Sequence, residues 1–308
     1  MPSHPDILLD FGPMMSESVG QNGITLQEVE SIEPQAKKIS QGLSDLRRLG
    51  QLPFQDLPYR EDLATQILEK TKIVKEKFET ILLIGIGGSS LGAQFLNSSL
   101  GSFSKSNLHI CDHIDPVLWK HLDESLDYQK TILLVISKSG RTIETLAAFL
   151  YFQEKFKKKL GLGFRKNLFI ITDPKEGPLR RLAHEEKIDS FEIPQPVGGR
   201  YSLLTAAGLF PAACVGVDLF ELMAGARRMD ERCKKNDLWF NPALMNATLH
   251  HLASTIKNRK LRIVMPYGER LRDYAPWFAQ LWAESLGKRQ SLQGRDVFAG
   301  TTPVTARG

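Results

Sequence analysis

The sequence predicts an α/β fold built on a doubly wound parallel sheet. Four short apolar runs of strand type, TILLIGI, LHICD, TILLVIS and NLFIITD, are separated by stretches with helical periodicity. Glycine- or serine-rich turns follow the first and third runs, as is typical where a buried parallel strand passes into a helix. Together these features favour strands and helices in regular alternation.

The order of the elements divides the chain into three parts. Residues 1–60 are polar with scattered helical periodicity, and we expect helices that pack on something larger. The alternation that follows predicts a first α/β unit over residues 61–188. A second alternation begins near Phe191 and contains helical stretches and the strand-like run LRIVMPY, which predicts a second unit over residues 189–308.

Composition excludes several classes of protein. The 308 residues are 42% hydrophobic and 24% charged, as in globular proteins, and are enough for two domains. No apolar run is long enough to cross a membrane, and the start, MPSHPDILLDFG, is unlike a secretory signal, so we expect a cytoplasmic protein without a membrane partner. The three cysteines are widely separated, which argues against disulfides and a zinc site.

The net charge of +5 does not by itself identify a partner. It follows from 40 Lys and Arg residues against 35 Asp and Glu residues, and the lysines of EKFKKKLG fall at the end of a predicted helix, where cations suit the helix dipole. No nucleic-acid signature accompanies the charge, so we expect no nucleic-acid partner. A modest positive field would also attract phosphorylated metabolites.

The first candidate site is the glycine-rich turn in ILLIGIGGSSLGAQFL, residues 81–96. Backbone N–H groups and the positive end of a helix dipole at such a turn suit an anion. The dinucleotide fingerprint needs a glycine where Ser90 stands, although Asp112 follows the next strand, and the nucleotide-triphosphate loop needs a lysine where Ala93 stands. A tight turn that only packs the strand on the helix remains an alternative.

The second candidate site is VISKSGRTIETL, residues 135–146, also at the end of a strand. Ser137, Lys138, Ser139 and Thr142 place hydroxyls and an ammonium group around the start of a helix, a combination that suits a phosphate monoester. Ligands of doubly wound sheets bind beyond the strand ends, so both loops can face one ligand. The alternative is a hydroxyl-rich helix cap with Glu144 in the first turn.

Two later segments add groups that suit proton transfer. In PVGGRYSLLTAAGL, Arg200 follows paired glycines, and a fixed cation there can stabilise a developing oxyanion. In YAPWFAQLWAESLGKRQ, Glu284 shares a helical face with Trp277 and lies one turn from Gln280. We expect the tryptophans to desolvate this carboxylate partly, which favours a general base. The alternative is an exposed glutamate paired with Lys288.

The four segments, taken together and in order, resemble the motifs of the glucose-6-phosphate isomerase family, within the sugar-isomerase domain superfamily. The matching stretches are IGIGGSSLGA, SKSGRTIET, GGRYS and QLWAESLGK, and HIDP, residues 113–116, resembles the family's segment after the second strand. The resemblance covers roughly residue 80 to the end of the sequence. Gln195 departs from it, since the family usually has an acidic or small residue before Gly-Gly-Arg.

The resemblance implies two sugar-isomerase domains, each a flavodoxin-like αβα sandwich with a parallel sheet. It also implies a homodimer that interconverts glucose 6-phosphate and fructose 6-phosphate through a cis-enediolate, in glycolysis and gluconeogenesis, without a cofactor or a metal. Arg200 would stabilise the enediolate and Glu284 would move the proton between C2 and C1. The implied substrate-binding residues are Gly88, Ser89, Ser137, Lys138, Ser139 and Thr142.

The resemblance further implies that a part of the family's site is absent from this sequence. In the family, the stretch similar to GTTPVTARG continues into a segment whose histidine helps to open the sugar ring. We therefore expect a truncated second domain with an uncovered apolar face, and a 308-residue chain that is inactive or severely impaired alone. A dual glucose/mannose phosphate isomerase, a non-catalytic sugar-phosphate-binding module and, more remotely, a nicotinamide dehydrogenase remain alternatives.

Overall fold

The computed structural model describes residues 7–101 and 107–308, which form helices and strands in alternation. The helices are α1 (Ser16–Val19), α2 (Leu26–Arg48), α3 (Glu61–Lys77), α4 (Leu91–Leu100), α5 (Pro116–Ser125), α6 (Ile143–Leu160), α7 (Pro178–Glu185), α8 (Ala206–Cys214), α9 (Leu219–Cys233), α10 (Pro242–Thr255) and α11 (Tyr274–Leu286). The strands are β1 (Thr80–Ile84), β2 (Leu108–Cys111), β3 (Thr131–Ser137), β4 (Leu168–Thr172), β5 (Asp189–Glu192), β6 (Leu261–Val264), β7 (Lys288–Gln290), β8 (Asp296–Ala299) and β9 (Thr302–Thr305).

The main sheet has the strand order β2-β1-β3-β4-β5, and every neighbouring pair is parallel. The four apolar runs of the sequence supply β1 to β4, so the prediction of a parallel α/β sheet is confirmed. The central strand β3 is buried at all seven positions, because helices cover both of its faces. Three of the four lysines of EKFKKKLG, Lys157, Lys158 and Lys159, lie in the last turn of α6, as expected.

Alternate side chains of each strand enter two separate hydrophobic layers. Leu83 and Leu134 point into a layer shared with α3, α4 and α8. Leu82 and Leu133 point into the opposite layer, which α5, α6 and α7 complete. Helices on both faces make this part of the chain an αβα sandwich, as in other doubly wound folds.

The sheet continues past the expected unit boundary at residue 188. β5 pairs in parallel with β4, with Phe169 opposite Asp189. Helix α8, which is buried along its whole length, packs Phe210 against Phe169 at a ring-centroid distance of 4.5 Å. The boundary between residues 188 and 189 therefore falls inside the first sheet, and residues up to α8 belong to the same core.

The N-terminal segment is helical, as the sequence predicts. An ion pair holds it against α9. Helix α2 begins with a capping box in which Thr25 and Glu28 each bond the other's backbone N–H. Near its other end, Arg47 donates two hydrogen bonds to Asp230 of α9, at 2.7 and 3.1 Å. Both side chains are largely buried, so this bidentate pair fixes the segment against α9.

The last part of the chain holds two small sheets. β6 pairs in parallel with β9, and β7 pairs antiparallel with β8. Leu261 and Ile263 of β6 are 64% and 68% exposed, which matches the expected uncovered apolar face. The division into two sugar-isomerase domains stays a prediction. In the described part of the chain, no helix is long and apolar enough to span a membrane.

Candidate functional site

The candidate site lies where the strand order of the main sheet reverses. The chain passes from β1 outward to β2 and then returns to β3 on the other side of β1. The loops that follow β1 and β3 therefore diverge at this point and leave a crevice between them, the usual place for a ligand in an open parallel sheet. These two loops are the ones that the sequence singles out.

The glycine loop after β1 is shaped by close backbone contacts. Gly87 has a φ of +58°, which favours glycine, and a Cβ atom at Gly87 would lie 2.8 Å from Nε2 of Gln280. A Cβ atom at Gly88 would lie 2.2 Å from the carbonyl oxygen of Gly199. Ser202 joins the two backbones, since its hydroxyl donates to the carbonyls of Gly88 and Gly199 at 3.0 and 2.7 Å. The glycines thus bring the β1 loop against the segment that carries the candidate arginine.

The hydroxyl-rich loop after β3 stands at the start of α6. Ser137 is only 2% exposed, and its hydroxyl is 3.1 Å from that of Thr142. Among the described residues, the Thr142 side chain makes no capping bond to α6. The hydroxyl-cap alternative is therefore disfavoured, and the first N–H groups of α6 are left for another acceptor. The Ser139 hydroxyl accepts a hydrogen bond from the Arg141 backbone N–H at 3.1 Å.

A cleft of about 570 Å³ opens between these loops. It is lined by Ile86, Gly88, Ser89, Lys138, Ser139, Arg141, Thr142, Asp173, Glu176, Gln195 and Gly199. Five of the six predicted substrate-binding residues therefore line one cleft. The sixth, Ser137, lies behind Thr142 and contacts it rather than the cleft. Its position suits orienting the Thr142 hydroxyl.

The sequence motifs did not predict the acidic side of the cleft, which Asp173 and Glu176 form. Asp173 follows the end of β4, and this position at a strand's carboxyl end is the signal that could have identified it. Its carboxylate accepts hydrogen bonds from the backbone N–H groups of Lys175 and Glu176 at 2.7 and 2.9 Å. Burial by itself raises the pKa of Asp173, but these hydrogen bonds outweigh it and the pKa is lowered. Gln195, at the position that departs from the family motif, donates to the same carboxylate at 3.3 Å.

Arg200 and Glu284 lie together beside this cleft. Nη1 of Arg200 is 3.8 Å from Oε2 of Glu284. Oε1 of Glu284 accepts a hydrogen bond from Nε2 of Gln280 at 2.9 Å. Because Gln280 also contacts Gly87, it links the carboxylate to the glycine loop. The two groups predicted for proton transfer are thus neighbours of each other and of the loops, although neither lines the cleft itself.

The environment of Glu284 differs from the expectation in one respect. Its side chain is 49% exposed, so the expected desolvation by tryptophans is wrong for this arrangement. Trp277 stacks on Phe95 and Trp282 packs on Phe278, which directs both rings elsewhere. The alternative pairing with Lys288 also fails, since the Lys288 ammonium donates to the backbone carbonyl of Glu284 at 2.6 Å. The carboxylate is therefore accessible.

The described residues offer no obvious metal site. Within residues 7–101 and 107–308, no group of three or more His, Cys, Asp or Glu side chains is arranged to hold a metal ion. The carboxylates of Asp173 and Glu176 lie on one side of the cleft, and toward the start of α6 the cleft presents hydroxyls, backbone N–H groups, the Lys138 ammonium and the Arg141 guanidinium. This set can bind a phosphorylated ligand and can stabilise negative charge as it develops.

The sequence is similar to those of known glucose-6-phosphate isomerases. The sequence matches the family described as phosphoglucose isomerase over residues 69–306. The glucose-6-phosphate isomerase of Carboxydothermus hydrogenoformans is 37% identical, and the match covers 97% of this chain and 67% of that protein. A glucose-6-phosphate isomerase of Thermus thermophilus is 38% identical over 97% of this chain and 68% of that protein. The chain thus spans about two thirds of the length of these relatives.

Solved structures agree with the fold. A hypothetical protein from Thermus thermophilus superposes with a TM-score of 0.84 at 36% identity, covering 92% of this chain and 66% of that one. A glucose-6-phosphate isomerase from Chlamydia trachomatis superposes with a TM-score of 0.73 at 24% identity, covering 80% of this chain and 48% of that one. The first carries sequence similarity as well as fold, and the second shows the fold alone.

Proposed function

Because the chain belongs to the phosphoglucose isomerase family, we propose that the complete protein interconverts glucose 6-phosphate and fructose 6-phosphate. The observation that carries the proposal is the pairing of two loops at the reversal of strand order, beside a neighbouring arginine and glutamate. From the motif resemblance we also infer a cytoplasmic homodimer that acts in glycolysis and gluconeogenesis without a cofactor.

In this proposal the hydroxyl-rich loop holds the phosphate. Lys138, Ser139 and Thr142 supply an ammonium and two hydroxyls, and the uncapped start of α6 supplies backbone N–H groups. Ser137 acts through Thr142, to which it is hydrogen bonded. Gly88 and Ser89 lie on the opposite loop, where they face the sugar carbons.

The chemistry would be a proton transfer between adjacent carbons. The Glu284 carboxylate takes the proton from C2 of the open-chain aldose, and the C–H electron pair forms the C1–C2 double bond of a cis-enediolate. The π electrons of the C1 carbonyl move onto its oxygen, and Arg200 stabilises the negative charge on this C1 oxygen. The hydroxyl proton passes from the C2 oxygen to the C1 oxygen of the cis-enediolate. Glu284 then returns its proton to C1, and the C2 oxygen becomes the carbonyl oxygen of the ketose. The exposed position of the Glu284 side chain leaves room for this approach.

Exchange of the C1 proton of fructose 6-phosphate with solvent deuterium, followed by proton NMR, tests this proposal. A base at C1 catalyses exchange even where turnover is slow. Glu284→Gln keeps the size of the side chain but cannot accept the proton, and we expect exchange to fall by at least ~10²-fold. Glu30→Gln, at an exposed position of α2, is the control and should exchange normally. Normal exchange by Glu284→Gln would contradict the assignment.

A further inference from the structure

The arginine of the site is held by two residues that have been given no role so far, Tyr201 and Ser285. Nε of Arg200 donates a hydrogen bond to Oγ of Ser285 at 2.9 Å. Its guanidinium carbon lies 4.6 Å from the centre of the Tyr201 ring. The Tyr201 hydroxyl is in turn 3.1 Å from the same Ser285 oxygen. Ser285 and the Tyr201 ring thus contact Nε and the face of the guanidinium, and Nη1 lies 3.8 Å from Oε2 of Glu284.

Tyr201 is itself backed by a residue from the N-terminal segment. The ring of Phe54 stacks on it with a centroid distance of 4.2 Å and an angle of 10° between the ring planes. Tyr201 therefore has a ring on one side and a guanidinium within contact distance, and its hydroxyl is fixed at the edge. With Phe54 in place, the ring has little freedom to rotate away from Arg200.

Phe54 belongs to the 3-10 segment Pro53–Tyr59, which is fastened to α9. The Tyr59 hydroxyl donates toward Asp230 and Glu231 at 2.7 and 2.8 Å. The Pro58 carbonyl accepts a hydrogen bond from Arg227 at 2.9 Å. These contacts hold the segment in place independently of the stack on Tyr201.

We propose that Phe54, in the segment Pro53–Tyr59, is a positioning residue of the site. Phe54 fixes the Tyr201 ring, and Tyr201 and Ser285 together fix the guanidinium of Arg200 where the enediolate charge develops. This inference rests on the proposed function, because it assumes that Arg200 faces that charge. It gives the N-terminal segment a role in the chemistry in addition to its role in the fold.

Two ligands can be used to measure the contact with Arg200 separately from the contact with the phosphate loop. Sorbitol 6-phosphate offers the phosphate and a neutral polyol, whereas 6-phosphogluconate adds a carboxylate at the end of the chain where the enediolate charge would form. Calorimetric titration gives the ratio of their affinities. We expect the wild type to favour 6-phosphogluconate and Arg200→Met to lose the preference.

Phe54→Leu and Ser285→Ala should each reduce the preference by about tenfold, the lower end of what a hydrogen bond to a charged group contributes. Their affinity for sorbitol 6-phosphate should stay unchanged. Phe54→Tyr keeps the stacked ring and should retain the preference. Tyr59→Phe, which loosens the same segment away from the stack, is the matched control and should also retain it.

The outcomes are distinguishable. A wild type that binds neither ligand, or binds both equally, would contradict the proposed function. A wild-type preference that survives in Phe54→Leu and Ser285→Ala would overturn the positioning role alone. Equal loss of affinity for both ligands, or equal effects of Phe54→Leu and Tyr59→Phe, would overturn it as well, because the segment would then act on the fold rather than on Arg200.

Discussion

Gly88→Ala should push the glycine loop after β1 away from the segment that carries Arg200. The added methyl would lie 2.2 Å from the carbonyl oxygen of Gly199 and 2.6 Å from its carbon, and both are backbone atoms that cannot rotate away. The backbones at residues 88 and 199 must therefore move apart by about 1 Å to reach ordinary contact, at a cost of about 1–3 kcal/mol. The hydrogen bonds of Ser202 to both carbonyls would weaken as well, at about 1 kcal/mol.

Urea unfolding followed by circular dichroism measures the loss of stability, and we expect the free energy of unfolding to fall by about 2–4 kcal/mol. Deuterium exchange at C1 of fructose 6-phosphate measures the loss of catalytic rate. A displacement of 1 Å near reacting groups can lower a rate by ~10²-fold. Gly42→Ala in α2, where nothing lies within 4 Å of the added methyl, is the control and should stabilise the protein by up to about 1 kcal/mol. Wild-type stability and exchange in Gly88→Ala would contradict this prediction.

Two further predictions concern stability at low pH and thiol reactivity. Burial by itself raises the pKa of Asp230, but hydrogen bonds, foremost from Arg47, outweigh it and lower the pKa. The pair therefore stabilises the fold above the unfolded pKa of ~3.9 and loses this contribution as the pH falls further. Asp230→Asn should lower the free energy of unfolding by about 2 kcal/mol at pH 7 and flatten its decline below pH ~4, which acid titration of unfolding would show. Burial raises the pKa of the Cys111 thiol to about 11 and that of Cys214 to about 12. At pH 8 a disulfide reagent should therefore modify these two thiols only as fast as the protein unfolds, whereas Cys233 is only partly buried. Rapid modification of Cys111 or Cys214 in the native protein, located by peptide mapping, would contradict this.

The parts of the fold that the sequence predicts are those with a strong local signal. β3 is a continuous apolar run, and the glycines and hydroxyls beside it are adjacent in the chain, so both the strand and its loop are visible in a short window. β5 has the sequence DSFE, without an apolar run, and its membership of the first sheet depends on pairing with β4. This pairing cannot be predicted from the residues of a short stretch of sequence.

The site divides in the same way. The cleft residues on the two loops follow from motif and strand order, since parallel strands bring their carboxyl ends to one edge. The exposure of Glu284 could not be read from its helix, because periodicity shows which residues share a face but not what covers that face. The stack of Phe54 on Tyr201 joins distant segments of the chain, and only the tertiary structure brings them together.

We propose above all that the hydroxyl-rich loop binds the phosphate of a sugar phosphate. A crystal structure of the protein soaked with fructose 6-phosphate tests it most directly. We predict phosphate density within hydrogen-bonding distance of Lys138, Ser139 and Thr142 at the start of α6, with the sugar carbons directed toward Gly88 and Glu284. Phosphate bound elsewhere, with this loop empty, would contradict it.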